Sequence, residues 1–118
     1  MLNLPGSVRI FLAAGPTDMR KGFDGLSALV QQFGEDVYSG HLFVFVSRRR
    51  NRVKILTWDR GGFILYYKRL EKGRFKLPAT PGDAQTIPLD AGQLTMLLDG
   101  VDLTRVRRNR VWTPPTTS

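Results

Sequence analysis

The stretch from Gly40 to Leu77 constrains the fold of this chain most, because it contains three apolar runs separated by short turns. The runs are Leu42–Val46, Val53–Trp58 and Phe63–Tyr67. Their β-branched and aromatic residues, and the alternation in the second run, are typical of β-strands. Connections as short as Ser47–Arg52 and Asp59–Gly62 join neighbouring strands antiparallel. The stretch therefore predicts an antiparallel meander, and a turn at residues 71–73 can add a short strand through Phe75.

The same stretch carries most of the positive charge. From Arg48 to Lys76 there are eleven Lys and Arg residues against Asp59 and Glu71, a balance of +9, whereas the whole chain carries +8. This positive charge indicates an acidic partner, and nucleic acid is the leading candidate. The simpler alternative is a surface that contacts only solvent and whose charge keeps the protein soluble. From this stretch we predict as nucleic-acid-binding residues Arg48, Arg49, Arg50, Arg52, Lys54, Lys68, Arg69, Lys72, Arg74 and Lys76.

Several function classes are disfavoured by the composition. The chain has no cysteine and a single histidine, His41, so it has neither disulfides nor an obvious metal site or triad. Its ten acidic residues show no metal-binding spacing, and it lacks a GxxxxGK[ST] phosphate loop. We therefore predict no enzymatic activity and no cofactor. No apolar run approaches the roughly 20 residues that span a bilayer, and no signal peptide is recognisable, so we predict a cytoplasmic protein, nucleoid-associated when bound, without a membrane partner.

The main helix candidate covers Thr17–Phe33. Its apolar residues recur at helical spacing and form one stripe, which consists of Met19, Phe23, Leu26, Val30 and Phe33. Thr17 or Asp18 can cap its start. Gly22 and Gly25 are costly inside a helix, and we take them to indicate close approach of another backbone there.

Two cations, Arg20 and Lys21, fall in the first turn of this predicted helix, where the helix dipole disfavours positive charge. A bound phosphate would reverse that penalty, because the free N–H groups and both cations would face it. We therefore predict a phosphate site at the helix start, formed by Thr17, Arg20 and Lys21. The alternative is that both side chains extend into solvent.

The C-terminal part begins with a short edge strand at Gln85–Pro88, which the proline ends. A short helix follows, with Asp90 as its cap and Gln93 completing a capping box. We expect this helix to cover the sheet, and docking of another protein is the alternative. Residues 105–118 form a basic C-terminal arm that we predict to be flexible and to bind nucleic acid through Arg105, Arg107, Arg108 and Arg110.

The strand Leu42–Val46 also has the aromatic character of an RNA-recognition sheet, in which exposed rings stack on bases. Phe43 and Phe45 share one face, so both are buried or both are exposed. We predict that both are buried in the core.

Three segments together resemble a known family: Pro16–Leu26 (PTDMRKGFDGL), Gly40–Phe75 and Leu89–Asp102 (LDAGQLTMLLDGVD). They are similar to the accessory protein TnpB, the second open reading frame of the insertion-sequence-sixty-six family of bacterial mobile elements, which is unrelated to the RNA-guided nucleases of that name. The resemblance covers about residues 5 to 103 and leaves out the arm. It implies a role in transposition beside a separate transposase that carries the catalytic carboxylates, and it supplies no catalytic residue.

These observations predict a single α+β domain over residues 1–104. Its antiparallel meander sheet of four to five strands packs its apolar face against one long and one short helix. The leading hypothesis is a non-catalytic accessory factor for DNA transposition. It would bind DNA, mostly duplex and without sequence specificity, through the basic hairpin and arm, and act beside the transposase of the same element. The alternative is a protein adaptor that binds the transposase without contacting nucleic acid.

Overall fold

The computed structural model describes residues 7–80 and 82–100, and within them it contains five strands and two helices. Their bounds are Ile10–Ala13 for β1, Phe23–Gln32 for α1, Leu42–Val46 for β2, Arg52–Asp59 for β3, Gly62–Arg69 for β4, Thr86–Leu89 for β5 and Ala91–Leu98 for α2. This composition confirms the predicted α+β fold class. The predicted basic arm, residues 105–118, lies outside the described residues.

All five strands form one sheet in the order β4–β3–β2–β1–β5. The central meander is antiparallel as predicted, with Val46 opposite Val53 and Arg52 opposite Arg69. β1 departs from the meander because it pairs parallel to β2, with Ile10 opposite Leu42. β1 and β2 run parallel because α1 connects them. This helical crossover carries the chain back to the end of the sheet at which β1 begins, so that β2 starts in the same direction.

The core has two layers, one on each face of the sheet. The layer under α1 consists of Ala13, Leu26, Val30, Val37, Phe43, Phe45 and Leu56. The layer under α2 consists of Ile10, Leu12, Leu42, Val44, Val46, Val53, Ile55, Phe75, Leu89, Leu94 and Leu97. The two helices therefore lie on opposite faces, whereas the sequence analysis placed both on one apolar face. All five residues of β2 are buried, which explains its unbroken apolar run and confirms that Phe43 and Phe45 point inward.

Helix α1 begins six residues later than predicted. The Asp18 carboxylate accepts the backbone N–H of Arg20 at 2.9 Å, and the Asp18 carbonyl accepts the N–H of Lys21 at 3.1 Å. This local turn competes with helix formation, and the extended Gly22 becomes the N-cap. The predicted capping by Thr17 or Asp18 is therefore wrong. The predicted backbone approach at the glycines is also absent here, because a Cβ at Gly22 would meet nothing within 4 Å and one at Gly25 would meet only the side chain of Lys21.

Helix α2 starts as the sequence predicts. Asp90 accepts the N–H of Gln93 at 2.7 Å, and the Gln93 side chain accepts the N–H of Asp90 at 2.9 Å, which completes the capping box. Leu94 and Leu97 are buried against the sheet, in agreement with a covering role. β5 is an edge strand that contains Pro88, as predicted. The prediction that the proline ends the strand is wrong, because β5 covers Thr86–Leu89 and an edge strand accommodates a proline.

The segment after β4 does not form the additional strand suggested for it. Instead, the chain crosses beneath the turn between β2 and β3, where the N–H of Phe75 donates to the carbonyl of Arg50. The Phe75 ring is fully buried in the layer under α2. Neither helix in the described part of the chain is long and apolar enough to cross a membrane.

Candidate nucleic-acid interface

The turn between β2 and β3 is a rigid platform for exposed arginines. Two backbone hydrogen bonds of 2.9 Å close it, from the Ser47 N–H to the Arg52 carbonyl and from the Arg50 N–H to the Ser47 carbonyl. The Ser47 hydroxyl also accepts the Arg52 N–H at 3.1 Å. Arg50 adopts the left-handed conformation, with φ of 60°, that the reversal requires. Arg48, Arg49 and Arg50 are consequently held in exposed positions at the end of the β2–β3 hairpin.

The loop that follows β1 lies beside this turn. The Thr17 N–H donates to the Val46 carbonyl at 2.9 Å and fixes the loop to the end of β2. An open groove of about 350 Å³ separates the loop from the turn. Its lining residues are Thr17, Asp18, Met19, Ser47, Arg48, Arg49, Asn51 and Arg52. The groove lies at the carboxyl ends of the parallel strands β1 and β2, the position at which open sheets with such crossovers commonly bind ligands.

The predicted phosphate site loses its original rationale. Thr17, Arg20 and Lys21 precede α1, so they do not face the free N–H groups of a helix start. Arg20 instead forms an ion pair with Asp18, with 2.7 Å between Nη2 and Oδ2. Hydrogen bonds from the side chain and backbone of Arg20 lower the pKa of Asp18 from 3.8 to about 2. Phosphate binding by these three residues stays a prediction, now without support from the helix dipole.

A second group of cations joins the same end of the sheet. Arg69 lies directly opposite Arg52 in the ladder between β3 and β4. Beyond β4, the Leu70 N–H donates to the Asn51 carbonyl at 2.8 Å, so the chain stays beside the turn. We call the combined surface the basic end, and it consists of Arg48, Arg49, Arg50, Arg52, Arg69, Lys72, Arg74 and Lys76. All are exposed except Arg52, which is half-buried.

Charge within the basic end is only partly compensated. Arg69 forms an ion pair with Glu71 at 3.0 Å, and the hydrogen bond that Arg69 donates to the Glu71 carboxylate raises the pKa of Arg69 above its ordinary value. Both side chains are largely exposed, so this pair contributes little to stability. Eight cations with one acidic residue among them produce the strong local positive potential that attracts polyanions.

Two lysines predicted to bind nucleic acid have structural roles. Lys54 is only 8% exposed, and its ammonium group donates to the carbonyls of Met19 at 2.7 Å and Lys21 at 2.9 Å. The Lys68 ammonium group donates to the Leu98 carbonyl at 2.6 Å, at the C-terminal end of α2. Their charges are engaged by carbonyl groups, the second at the negative end of a helix dipole. We therefore remove Lys54 and Lys68 from the interface.

The four arginines of the predicted arm, Arg105, Arg107, Arg108 and Arg110, lie outside the described residues. The described chain does, however, end near the basic end. Lys68 faces Val53, the second residue of β3, and its contact with Leu98 fixes the end of α2 there. The described chain thus ends, at Gly100, on the same side of the molecule as the turn arginines.

Sequence reasoning missed the polar residues that complete the groove. Ser47 and Asn51 flank the arginine turn, and the Ser47 hydroxyl donates to Asn51 Oδ1 at 3.3 Å. A serine and an asparagine around a cationic turn are typical of side chains that hydrogen-bond the turn backbone, and this signal could have identified them. The proximity of this turn to residues 17–19 could not be predicted from neighbouring residues in the sequence, because it results from the parallel pairing of β1 with β2.

Comparisons with known proteins give one family model and similar proteins that cover most of the chain. Residues 8–108 match the family model TnpB_IS66, described as IS66 Orf2 like protein. The chain is 36% identical over 115 residues to the uncharacterized protein y4jC of Sinorhizobium fredii (strain NBRC 101917 / NGR234), covering 97% of each chain. It is 40% identical over 103 residues to the uncharacterized protein y4hO of the same strain, covering 86% of this chain and 88% of that protein. No solved structure matches significantly.

Proposed function

The chain belongs to the IS66 Orf2-like family, which implies an accessory role in transposition, and we propose that it performs this role by binding duplex DNA through its basic end. The proposed role is non-catalytic. Strand cleavage and joining would be left to a separate transposase encoded by the same element.

The observation that carries the proposal is the convergence of two separate basic segments on one end of a rigid sheet. Residues 48–52 and 69–76 are joined there by ladder pairing and backbone hydrogen bonds. Strands β2 and β3 lie inside the five-stranded sheet, so only the turn that joins them can approach DNA. Its exposed arginines suit both phosphate oxygens and guanine edges. Contacts to phosphate carry no sequence information, so the expected binding is mostly non-specific.

The arm would add to this contact. Its four arginines follow in the sequence after the described chain, whose end lies near the basic end, and a basic peptide can follow the phosphate backbone or enter the minor groove. If turn and arm together neutralise about six phosphates, the logarithm of affinity should fall against the logarithm of salt concentration with a slope near −5.

The adaptor alternative is favoured by a different observation at the opposite end of the sheet. Four aromatic rings contact one another there, with centroids 4.9 Å apart for Trp58 and Phe63 and 5.0 Å apart for Tyr38 and Trp58. Tyr38 is 59% exposed and Phe23 47% exposed. Exposed aromatic side chains are enriched in protein interfaces, so this end suits a protein partner such as the transposase. Binding there would not require the basic end.

Two double variants distinguish the two functions. Each removes two positive charges, one variant at the basic end and the other at the opposite end of the sheet. The test variant is Arg48→Ser with Arg49→Ser. The control is Arg9→Ser with Arg60→Asn, which removes two exposed cations from the opposite end; asparagine is chosen because residue 60 has φ of 42°. Affinity for duplex DNA is measured by fluorescence anisotropy from 50 to 300 mM salt.

We expect the turn variant to bind more weakly and its salt slope to flatten by up to about 1.8, the value for two lost phosphate contacts. The control should retain the slope of the wild type. Equal slopes in the two variants would reject the basic end as the interface. Retention of transposase binding by both variants, together with no binding of DNA by the wild type, would establish the adaptor function instead.

A further inference from the structure

Strand β4 forms an open edge of the sheet with unusual apolar character. It is eight residues long, and β3 is its only neighbour among the described strands. Within the described residues, three of the five exposed large hydrophobic side chains lie on it: Ile64 at 47%, Tyr66 at 41% and Tyr67 at 50%. Long, regular edge strands with apolar side chains are templates for pairing with another strand.

Among the described residues, the other edge of the sheet is better protected than β4. β5 has four residues, one of which is Pro88, and proline removes a donor from a ladder. β4 contains no proline, and its pairing with β3 runs without a bulge from Gly62 to Arg69. Its cations, Lys68 and Arg69, are confined to one end. Apart from these two cations, the outer side of β4 has none of the usual devices that prevent strand addition within the part of the chain that the structure describes.

The backbone groups on the outer side of β4 can be identified from the ladder. The Leu70 N–H donates inward to the Asn51 carbonyl, in register with the pairing of Arg69 and Arg52. In an antiparallel ladder the inward and outward groups alternate along the strand. The groups that point outward consequently belong to the alternate residues Phe63, Leu65, Tyr67 and Arg69.

We propose that β4 pairs antiparallel with β4 of a second copy of the chain, about a two-fold axis at Tyr66. This register places Phe63 opposite the partner's Arg69 and Leu65 opposite the partner's Tyr67. It therefore engages all four outward-facing residues of each strand. Tyr66 lies opposite its own counterpart in the non-hydrogen-bonded position on the axis, and the two five-stranded sheets become one continuous sheet.

The distribution of charge along β4 favours a second copy as the occupant. In the antiparallel arrangement each cationic end meets the apolar end of its partner, with Lys68 opposite Ile64 and Arg69 over the Phe63 ring. A parallel arrangement would instead place the cations of the two strands together, which is destabilising. The antiparallel arrangement also directs the two strongly charged basic ends away from each other. An isologous contact of this kind closes at the dimer.

The proposed pairing can be tested by disulfide crosslinking. The chain contains no cysteine, so a single introduced cysteine can react only with its counterpart in another copy. Opposite residues in a non-hydrogen-bonded pair have Cα atoms about 4.5 Å apart, within the range that a disulfide spans. We expect the Tyr66→Cys variant, purified without nucleic acid and mildly oxidised, to form a covalent dimer on non-reducing gels. The control is Ile64→Cys, on the same face of the same strand with similar exposure. Its two thiols would lie roughly 14 Å apart, four residues along the strands, and should not crosslink.

A second variant breaks the contact. Tyr67→Pro removes an N–H that points outward, so the pairing with β3 is kept, and it blocks strand addition. We expect sedimentation to show a dimer for the wild type and a folded monomer for this variant, with folding checked by circular dichroism. If Tyr67→Pro fails to fold, the crosslinking comparison alone decides.

A wild-type protein that is monomeric at 100 micromolar would overturn the proposal, and would leave the edge to another segment or another protein. Equal crosslinking of the two cysteine variants would also overturn it, because it would indicate random collision. Both measurements are made without DNA, so they do not depend on the proposed function.

Discussion

At the scale of single residues, Lys54 is a charged side chain that has a structural role in the interior. Its ammonium group holds the loop after β1 through the carbonyls of Met19 and Lys21. Hydrogen bonds to a charged group contribute about 1.5 to 3 kcal/mol each. Because Lys54→Met removes two such bonds, we expect it to lower the free energy of unfolding by about 3 to 6 kcal/mol in urea denaturation. Lys76→Met makes the same change at an exposed site and should cost less than about 0.5 kcal/mol.

Asp18 offers a second prediction at this scale. Its pKa of about 2 means that the carboxylate is ionised in the folded protein at any pH above that value. The contact with Arg20 is therefore fully present above the unfolded pKa near 3.8 and is lost as the pH falls through about 2. Titration followed by carboxyl NMR should show this low midpoint. Arg20→Ala should return the midpoint toward 3.8, and an unchanged midpoint in that variant would refute the assigned cause.

At the scale of elements, α1 depends on two side chains. Leu26 and Val30 are fully buried, whereas Phe23 at the start of the helix is 47% exposed. Leu26→Asp places an unpaired charge in the core, and we expect the variant to lose several kcal/mol of stability and to unfold or aggregate. Ala28→Asp puts the same residue on the exposed side of the helix. Its melting temperature should stay within a few degrees of the wild type, and equal losses in both variants would show the helix phase to be wrong.

The elements also show which features were predictable from the sequence. The strands β2, β3 and β4 and the capping box of α2 were correctly predicted, because each depends on residues close together in the chain. The delayed start of α1 was not, since the Asp18 turn competes with a helix of equal local plausibility. The burial of Lys54 was missed because its partners lie 33 and 35 residues away. The sequence was thus sufficient to select cationic residues as candidates. It was not sufficient to predict which of them are exposed and which are buried.

At the scale of the whole molecule, positive charge is concentrated at the basic end. The basic end occupies one end of the sheet, while residues 77–104 contain four aspartates and no Lys or Arg. A chain ending at residue 104 keeps every described contact, so we expect its melting temperature to be unchanged. It should bind duplex DNA more weakly, with a salt slope flatter by up to about 3.6 if all four arm arginines meet phosphates. Unchanged affinity would show that the turn acts without the arm.

The order of the strands has a consequence for how the chain acquires its structure. β1 precedes the other described strands in the chain, yet it lies between β2 and β5, and its pairing of Ile10 with Leu89 closes a separation of 79 residues. Contacts within residues 42–69 close much shorter loops, and short loops form first because they cost less entropy. We therefore expect the meander to nucleate folding and β1 to be inserted afterwards. During translation, β1 would therefore remain an unpaired apolar segment until both of its neighbours in the sheet, β2 and β5, have emerged from the ribosome.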